Sequence, residues 1–151
     1  ADNVFVADQL GKYFHLPANF IQFPYNGNYH IYRGAYEDYS VDFSSNAYEV
    51  VYDGYSITYS LIELAIYMGF KEVYLLGADC NYPKGEKNHF VESGFVDKNA
   101  TSNPLRMRVG YQAAKEYADA HGIKIANCTR GGMLETFKRI KLEDVLKERV
   151  K

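Results

Sequence analysis

Apolar positions in the second half of the chain alternate between two patterns. After Ser56, a good helix N-cap, come Leu61, Ile62, Leu64, Ala65, Ile66 and Met68. They predict a helix that is apolar nearly all round and therefore buried. Gly69 suits the position that closes it. Residues 72–77 (EVYLLG) are a short apolar run with β-branched and aromatic members, the pattern of a strand buried on both faces of a parallel sheet. A second helix is predicted from Asn103 as cap, with Pro104 in its first turn, to about His121, with Gly122 ending it. Its inner side carries Val109, Ala113, Ala114, Tyr117 and Ala118. Residues 123–126 read as the next strand, 129–132 as a loop, and 142–150 as a final amphipathic helix whose Lys-rich end suits the helix dipole. Helix, strand, helix, strand, helix is an α/β pattern with a mainly parallel sheet and right-handed crossovers.

The first half shows no helical period. Residues 4–7, 21–23, 29–32 and 48–52 are candidate strands, and Asn26-Gly27 reads as a tight turn between two of them. Of the 15 Tyr, most lie between Tyr13 and Tyr82, which makes this an irregular Tyr-rich N-terminal third. Such rings suit strand faces as well as sugar- or base-lined clefts.

Composition narrows the function. With 151 residues the chain is expected to form a single domain. A net charge of −2 gives no field that would draw it to nucleic acid or an anionic membrane. No apolar run is long enough to predict a membrane span. The charge is uneven: residues 1–70 hold two basic against eight acidic residues, and residues 71–151 hold 15 basic against 11 acidic. An anionic ligand fits the second half better, unless this is scatter. Two cysteines make no disulfide framework, and no basic start with an apolar stretch opens the chain. Both features suggest a reducing cytoplasm, with peripheral attachment at an inner membrane as a variant. The chain opens without Met on strand-like residues, so it reads as the later part of a longer protein.

In parallel sheets ligands sit at the carboxyl ends of the strands, which points to the loops after Gly77 and after Ala126. Asp79 stands just past the first strand, where a carboxylate holds a ribose hydroxyl, a sugar hydroxyl or a Mg²⁺, or simply caps the strand end or a turn. In the second loop, Asn127-Cys128-Thr129-Arg130-Gly131-Gly132, two glycines allow close approach of a ligand and Arg130 can fork onto a phosphate or carboxylate. The alternative is a plain turn with a solvated Arg. Gly54-Tyr55-Ser56-Ile57-Thr58 offers free helix-start N–H groups and two hydroxyls to an anion, but it lacks the Gly-Lys-Ser/Thr ending of a P-loop. His89, on the long polar loop 78–103, is the histidine best placed to act as a general base; His15, His30 and His121 have no comparable context. Cys80 and Cys128 flank the candidate loops, but no paired base for a thiol nucleophile is visible. No His/Cys spacing suggests zinc.

The segments from Ser56 to Thr58, from Ala65 through Gly77-Ala78-Asp79-Cys80-Asn81-Tyr82, and from Asn127 to Phe137 together resemble the 6-hydroxymethylpterin diphosphokinase MptE-like family of bacterial surface-glycan clusters. That family is related in fold to the Cst-type bacterial sialyltransferases. The resemblance covers roughly residues 50–140. It implies a Rossmann-like three-layer sandwich and sugar transfer from a nucleotide-activated donor to a glycan acceptor in surface polysaccharide synthesis. In the sialyltransferases a Thr-Ser-Gly turn helps hold the donor, and a His on the loop after the Gly-x-Asp strand is the base. Here these map onto the Ser56 turn, where a hydroxyl and a turn are kept, and onto His89.

The resemblance further implies that Ser56 and Thr58 hold the anionic donor, that Asp79, Asn81 and Tyr82 line the pocket, and that Arg130 lies near the phosphate or carboxylate. Asn127, Thr129, Gly131 and Gly132 complete the donor loop. No cofactor or metal is implied; Mg²⁺ enters only for the ATP-dependent diphosphokinase alternative. The archaeal pterin enzymes' His-rich acidic motif is absent from the sequence, which argues against that alternative. The Gly-Asn-Gly-Pro-Ser-like nucleotide loop that usually opens family members is also not found, so the chain reads as a C-terminal portion or a divergent member. A non-catalytic nucleotide- or glycan-binding domain is the third reading.

Overall fold

The computed structural model describes residues 3–31, 36–81 and 102–149. Among them, short parallel strands and three helices form a mixed α/β fold. β1 (Val4–Ala7) pairs with β2 (Phe20–Phe23), and β3 (Tyr25–Asn26) with β4 (Val51–Tyr52). After α1 (Ile57–Tyr67) come β5 (Glu72–Leu75), α2 (Asn103–Ala120), β6 (Lys124–Asn127), β7 (Lys138–Arg139) and α3 (Leu142–Arg149). β5, β6 and β7 make one three-stranded parallel sheet in that order, with Glu72 opposite Lys124 and Leu75 opposite Asn127. The two strands expected from the apolar runs are therefore parallel neighbours. No helix among the described residues is long and apolar enough to cross a membrane.

Local chemistry sets the helix ends. Ser56 is extended, and its Oγ accepts from the Thr58 N–H at 3.3 Å, which satisfies one of the orphan donors of α1. Gly69, at φ +89°, turns the chain out of α1, and Phe70 N donates back to the Ala65 carbonyl. α2 starts one residue earlier than expected: Ser102 takes the cap position, and Asn103 is already helical. Gly122, at φ +64°, ends it.

Several expectations need correction. α1 is not buried all round. Tyr59, Ser60, Ile62, Glu63 and Leu64 are buried, while Ile57, Leu61, Tyr67 and Met68 are exposed, because one face packs on β4 and α2 and the other faces outward. Residues 72–77 are strand only to Leu75, and Leu76 is 62% exposed, so this segment is not covered on both faces. Asn26-Gly27 makes no hairpin. β3 and β4 run parallel, and the Gly27 carbonyl accepts from His30 N and Ile31 N, so residues 28–31 form a turn rather than a strand. Of residues 48–52 only Val51 and Tyr52 pair, because Glu49 N and Val50 N are taken by the Asn46 carbonyl.

The main core gathers Tyr59 and Ile62 of α1, Leu75 and Ala78, Tyr111 and Ala114 of α2, and Leu134 and Phe137. Burying each large side chain stabilises the fold by roughly 1.5–3 kcal/mol. Phe23, Ala47, Val51 and Leu64 form a smaller cluster. Glu63 is wholly buried between them: Oε1 accepts from Ser44 N at 2.5 Å and Oε2 from Tyr52 N at 2.7 Å. Burial pushes its carboxyl up to about 8, against the opposing pull of these two N–H bonds. The turn before α1 touches α2 directly. A Cβ on Gly110 would stand 2.8 Å from the Gly54 carbonyl oxygen, and a Cβ on Gly54 would enter the Tyr59 ring.

Candidate functional site

The carboxyl ends of β5 and β6 bring most of the expected site residues together. Ala78 N donates to Thr129 Oγ1 at 3.0 Å, and the Asp79 carbonyl accepts from Met133 N at 2.6 Å and Leu134 N at 3.1 Å. Asp79 and the glycine loop therefore meet backbone to backbone. Gly132 lies at φ +79°, and a Cβ there would be 2.6 Å from Asp79 Cβ, so the contact requires glycine. Gly131, at φ +74°, faces open space. The Asp79 side chain is exposed, and Oδ1 accepts from Asn81 N at 3.3 Å. Asn127 is fully buried: Nδ2 donates to the Leu134 carbonyl and Oδ1 accepts from Thr129 N, both at 2.9 Å. Its amide is committed to shaping the loop.

Arg130 points away from this junction. Its side chain is 90% exposed and Nη2 donates to Glu143 Oε1 at 2.5 Å, at the start of α3. The cation that grips the loop is Arg139 on β7. Nη1 donates to the carbonyls of Thr129 (3.1 Å) and Gly131 (2.6 Å), Nη2 to that of Gly132 (3.2 Å), and Nε to Glu135 Oε1 (2.8 Å). No motif in the sequence marks Arg139.

Ser56 and Thr58 stand at the carboxyl end of β4. Beyond capping α1, Ser56 Oγ lies 3.0 Å from the Tyr111 hydroxyl. No hydrogen bond among the described residues joins Ser56 or Thr58 to Asp79 or to the 129–132 loop. The link runs through Tyr111, which shares the core with Ala78 and Leu134. His89 and Tyr82 lie outside the described residues. Burial pushes the Cys80 thiol up to about 11 and raises that of Cys128, so neither is an activated nucleophile.

A second cluster was not expected. It forms where β3 and β4 end. Asp53 Oδ2 accepts from the Tyr25 hydroxyl at 2.6 Å and pairs with His30 Nδ1 at 2.8 Å, while Oδ1 accepts from Tyr55 N at 2.7 Å. The Asp53 side chain is 6% exposed and that of His30 59%. Burial pushes the Asp53 carboxyl up, but the hydrogen bonds from His30 and Tyr25 outweigh it and hold the group below its ordinary value. The Asp53 carboxylate thus orients an exposed imidazole through Nδ1, the arrangement that prepares a histidine for proton transfer. Tyr55 stacks on His30 with centroids 4.6 Å apart. It holds φ +66°, a strained conformation for an aromatic residue, immediately before the α1 cap. Asp53 joins Tyr25 and His30 from a distant segment, so no sequence spacing signals the cluster.

Among the described residues, no three His, Cys, Asp or Glu side chains gather as a metal would require. No family model, curated protein or solved structure matches this chain.

Proposed function

We propose that this chain is a Rossmann-like transferase domain that moves a sugar, of the sialic-acid type, from a nucleotide-activated donor to a glycan acceptor. The observation that carries the reading is the meeting of Asp79 with the Gly131-Gly132 loop at the carboxyl ends of parallel β5 and β6, the edge where such sheets take nucleotides. Asp79 and Asn81 offer groups for sugar or ribose hydroxyls, with Tyr82 beside them in sequence. Gly131 leaves the backbone open to close approach, Gly132 seats the loop against Asp79, and Asn127 and Thr129 keep the loop in shape. Ser56 and Thr58 serve the anionic part of the donor. Arg130 is held away from the junction only by a solvent-screened ion pair with Glu143, so turning to a ligand anion costs it little. His89 takes the acceptor proton by the resemblance, and the His30–Asp53 pair is a second imidazole with the geometry of a base.

Titration of the chain with CMP, UDP and ATP, with and without Mg²⁺, tests this. Metal-free CMP binding that weakens in Asp79→Asn is expected. Binding of ATP only with Mg²⁺ would replace the reading with the diphosphokinase one.

A further inference from the structure

Arg106 is the most deeply buried cation among the described residues, with 8% of its surface exposed. Its Nη1 donates to Ser102 Oγ at 2.9 Å, one turn back on the same helix. Its Nε is buried with no hydrogen-bond partner. Among the described residues no carboxylate pairs with it. Asp53, on the neighbouring turn, is already committed to Tyr25, His30 and the Tyr55 N–H. Burying a charge without a counter-charge is among the more costly things a fold can do. Two aromatic rings hold the guanidinium in place: its central carbon lies 5.3 Å from the centroid of Tyr55 and 5.9 Å from that of Tyr39. Those rings meet edge to face, 6.1 Å apart, and Tyr55 keeps its place through the strained φ described above.

We infer that Arg106 is the seat of a phosphate group belonging to a bound ligand, at the carboxyl end of β4. A guanidinium presents Nε–H and a neighbouring Nη–H as a fork that matches two oxygens of one phosphate. The Nε side of that fork is the side without a partner here. The aromatic walls exclude water and strengthen the pairing. His30, stacked on the same Tyr55 ring, stands at the exposed margin of this site. The inference is independent of the nucleotide-sugar reading, because any phosphorylated ligand satisfies it.

Pyrophosphate is the probe, titrated calorimetrically into the intact chain at low salt. Binding to the parent chain is expected, weakened about tenfold or more in Arg106→Gln and less in Arg106→Lys, which keeps the charge but loses the fork. Pyrophosphate is also expected to raise the melting temperature of the parent but not of Arg106→Gln. Where the variant does not fold, the parent alone decides: its Arg106 Nε–H resonance is expected to shift on pyrophosphate addition. Equal binding by Arg106→Gln, or a parent that binds no pyrophosphate and shows no such shift, overturns the inference. Pyrophosphate binding at Arg106 without CMP binding keeps this inference and removes the donor reading.

Discussion

Arg139 donates through Nη1 to the Gly131 carbonyl at 2.6 Å, so the loop that meets Asp79 is held from the strand that follows it. The same guanidinium also reaches the carbonyls of Thr129 and Gly132. Arg139→Gln is expected to lower stability, because three loop carbonyls lose a charged donor. Arg139→Lys should recover only part of that, because an ammonium cannot span three carbonyls. Urea unfolding measures both; a midpoint unchanged in Arg139→Gln would mean that the loop holds its shape unaided.

The two glycines of the loop should respond unequally to alanine. Gly131→Ala meets nothing within 4 Å and costs only the left-handed backbone conformation, about 1–2 kcal/mol. Gly132→Ala bears the same cost and also collides with Asp79, whose carbonyl would be 2.8 Å from the new carbon. The second variant should be clearly the less stable in thermal unfolding. Equal losses would place Asp79 farther from the loop than its hydrogen bonds require.

Glu63 makes stability depend on pH. Its folded value, about 8, lies above its ordinary 4.5, so the folded state holds the proton more tightly between these limits. The contribution is full below the ordinary value and is lost as pH rises through the folded one. Stability should fall between about pH 5 and about pH 8, a slope that Glu63→Gln should flatten. The glutamine amide also sets a donor against the Ser44 or Tyr52 N–H, so the variant should be less stable by about 1–3 kcal/mol at the acid end. Denaturant titrations at both pH values measure the slope, and a flat profile in the parent would place the Glu63 titration elsewhere.

On the proposed reaction, His89→Ala is expected to lower kcat by about 10²–10⁴-fold, the usual contribution of a positioned base, with donor binding nearly unchanged. Single-turnover kinetics separate the two. The same loss in His30→Ala and Asp53→Asn, with His89→Ala near the parent rate, would transfer the role to the imidazole that Asp53 orients.

The β5–β6 pairing was legible because short, mostly apolar runs next to long helices leave few other arrangements. The Ser56 cap and the Gly69 and Gly122 exits were legible because each depends on the chemistry of a single residue. β3 and β4 were not: they are two residues long, and a parallel pair needs a distant partner that no turn dipeptide identifies. Thr129 and Gly132 were found at the site, but the hydrogen bonds that fix them come from Ala78 and Arg139, which only the fold brings near. The Tyr25–His30–Asp53 cluster was hidden for the same reason. The outward face of α1 shows the reverse case, in which apolar residues alone do not report burial.

The contact between Gly54 and Gly110 restricts how this sequence can drift. At position 110 a side chain would strike backbone, which no second substitution can shorten, so every lineage that keeps the turn this close to α2 must keep that glycine. At position 54 the obstacle is the Tyr59 ring, which a smaller residue could vacate. Change at 54 is therefore open only to lineages that have first given up the aromatic ring at 59. Since that ring fills the core and its hydroxyl donates to the Asp42 carbonyl at 2.6 Å, such intermediates are poorly stable, and the order of mutations becomes as restrictive as their identity.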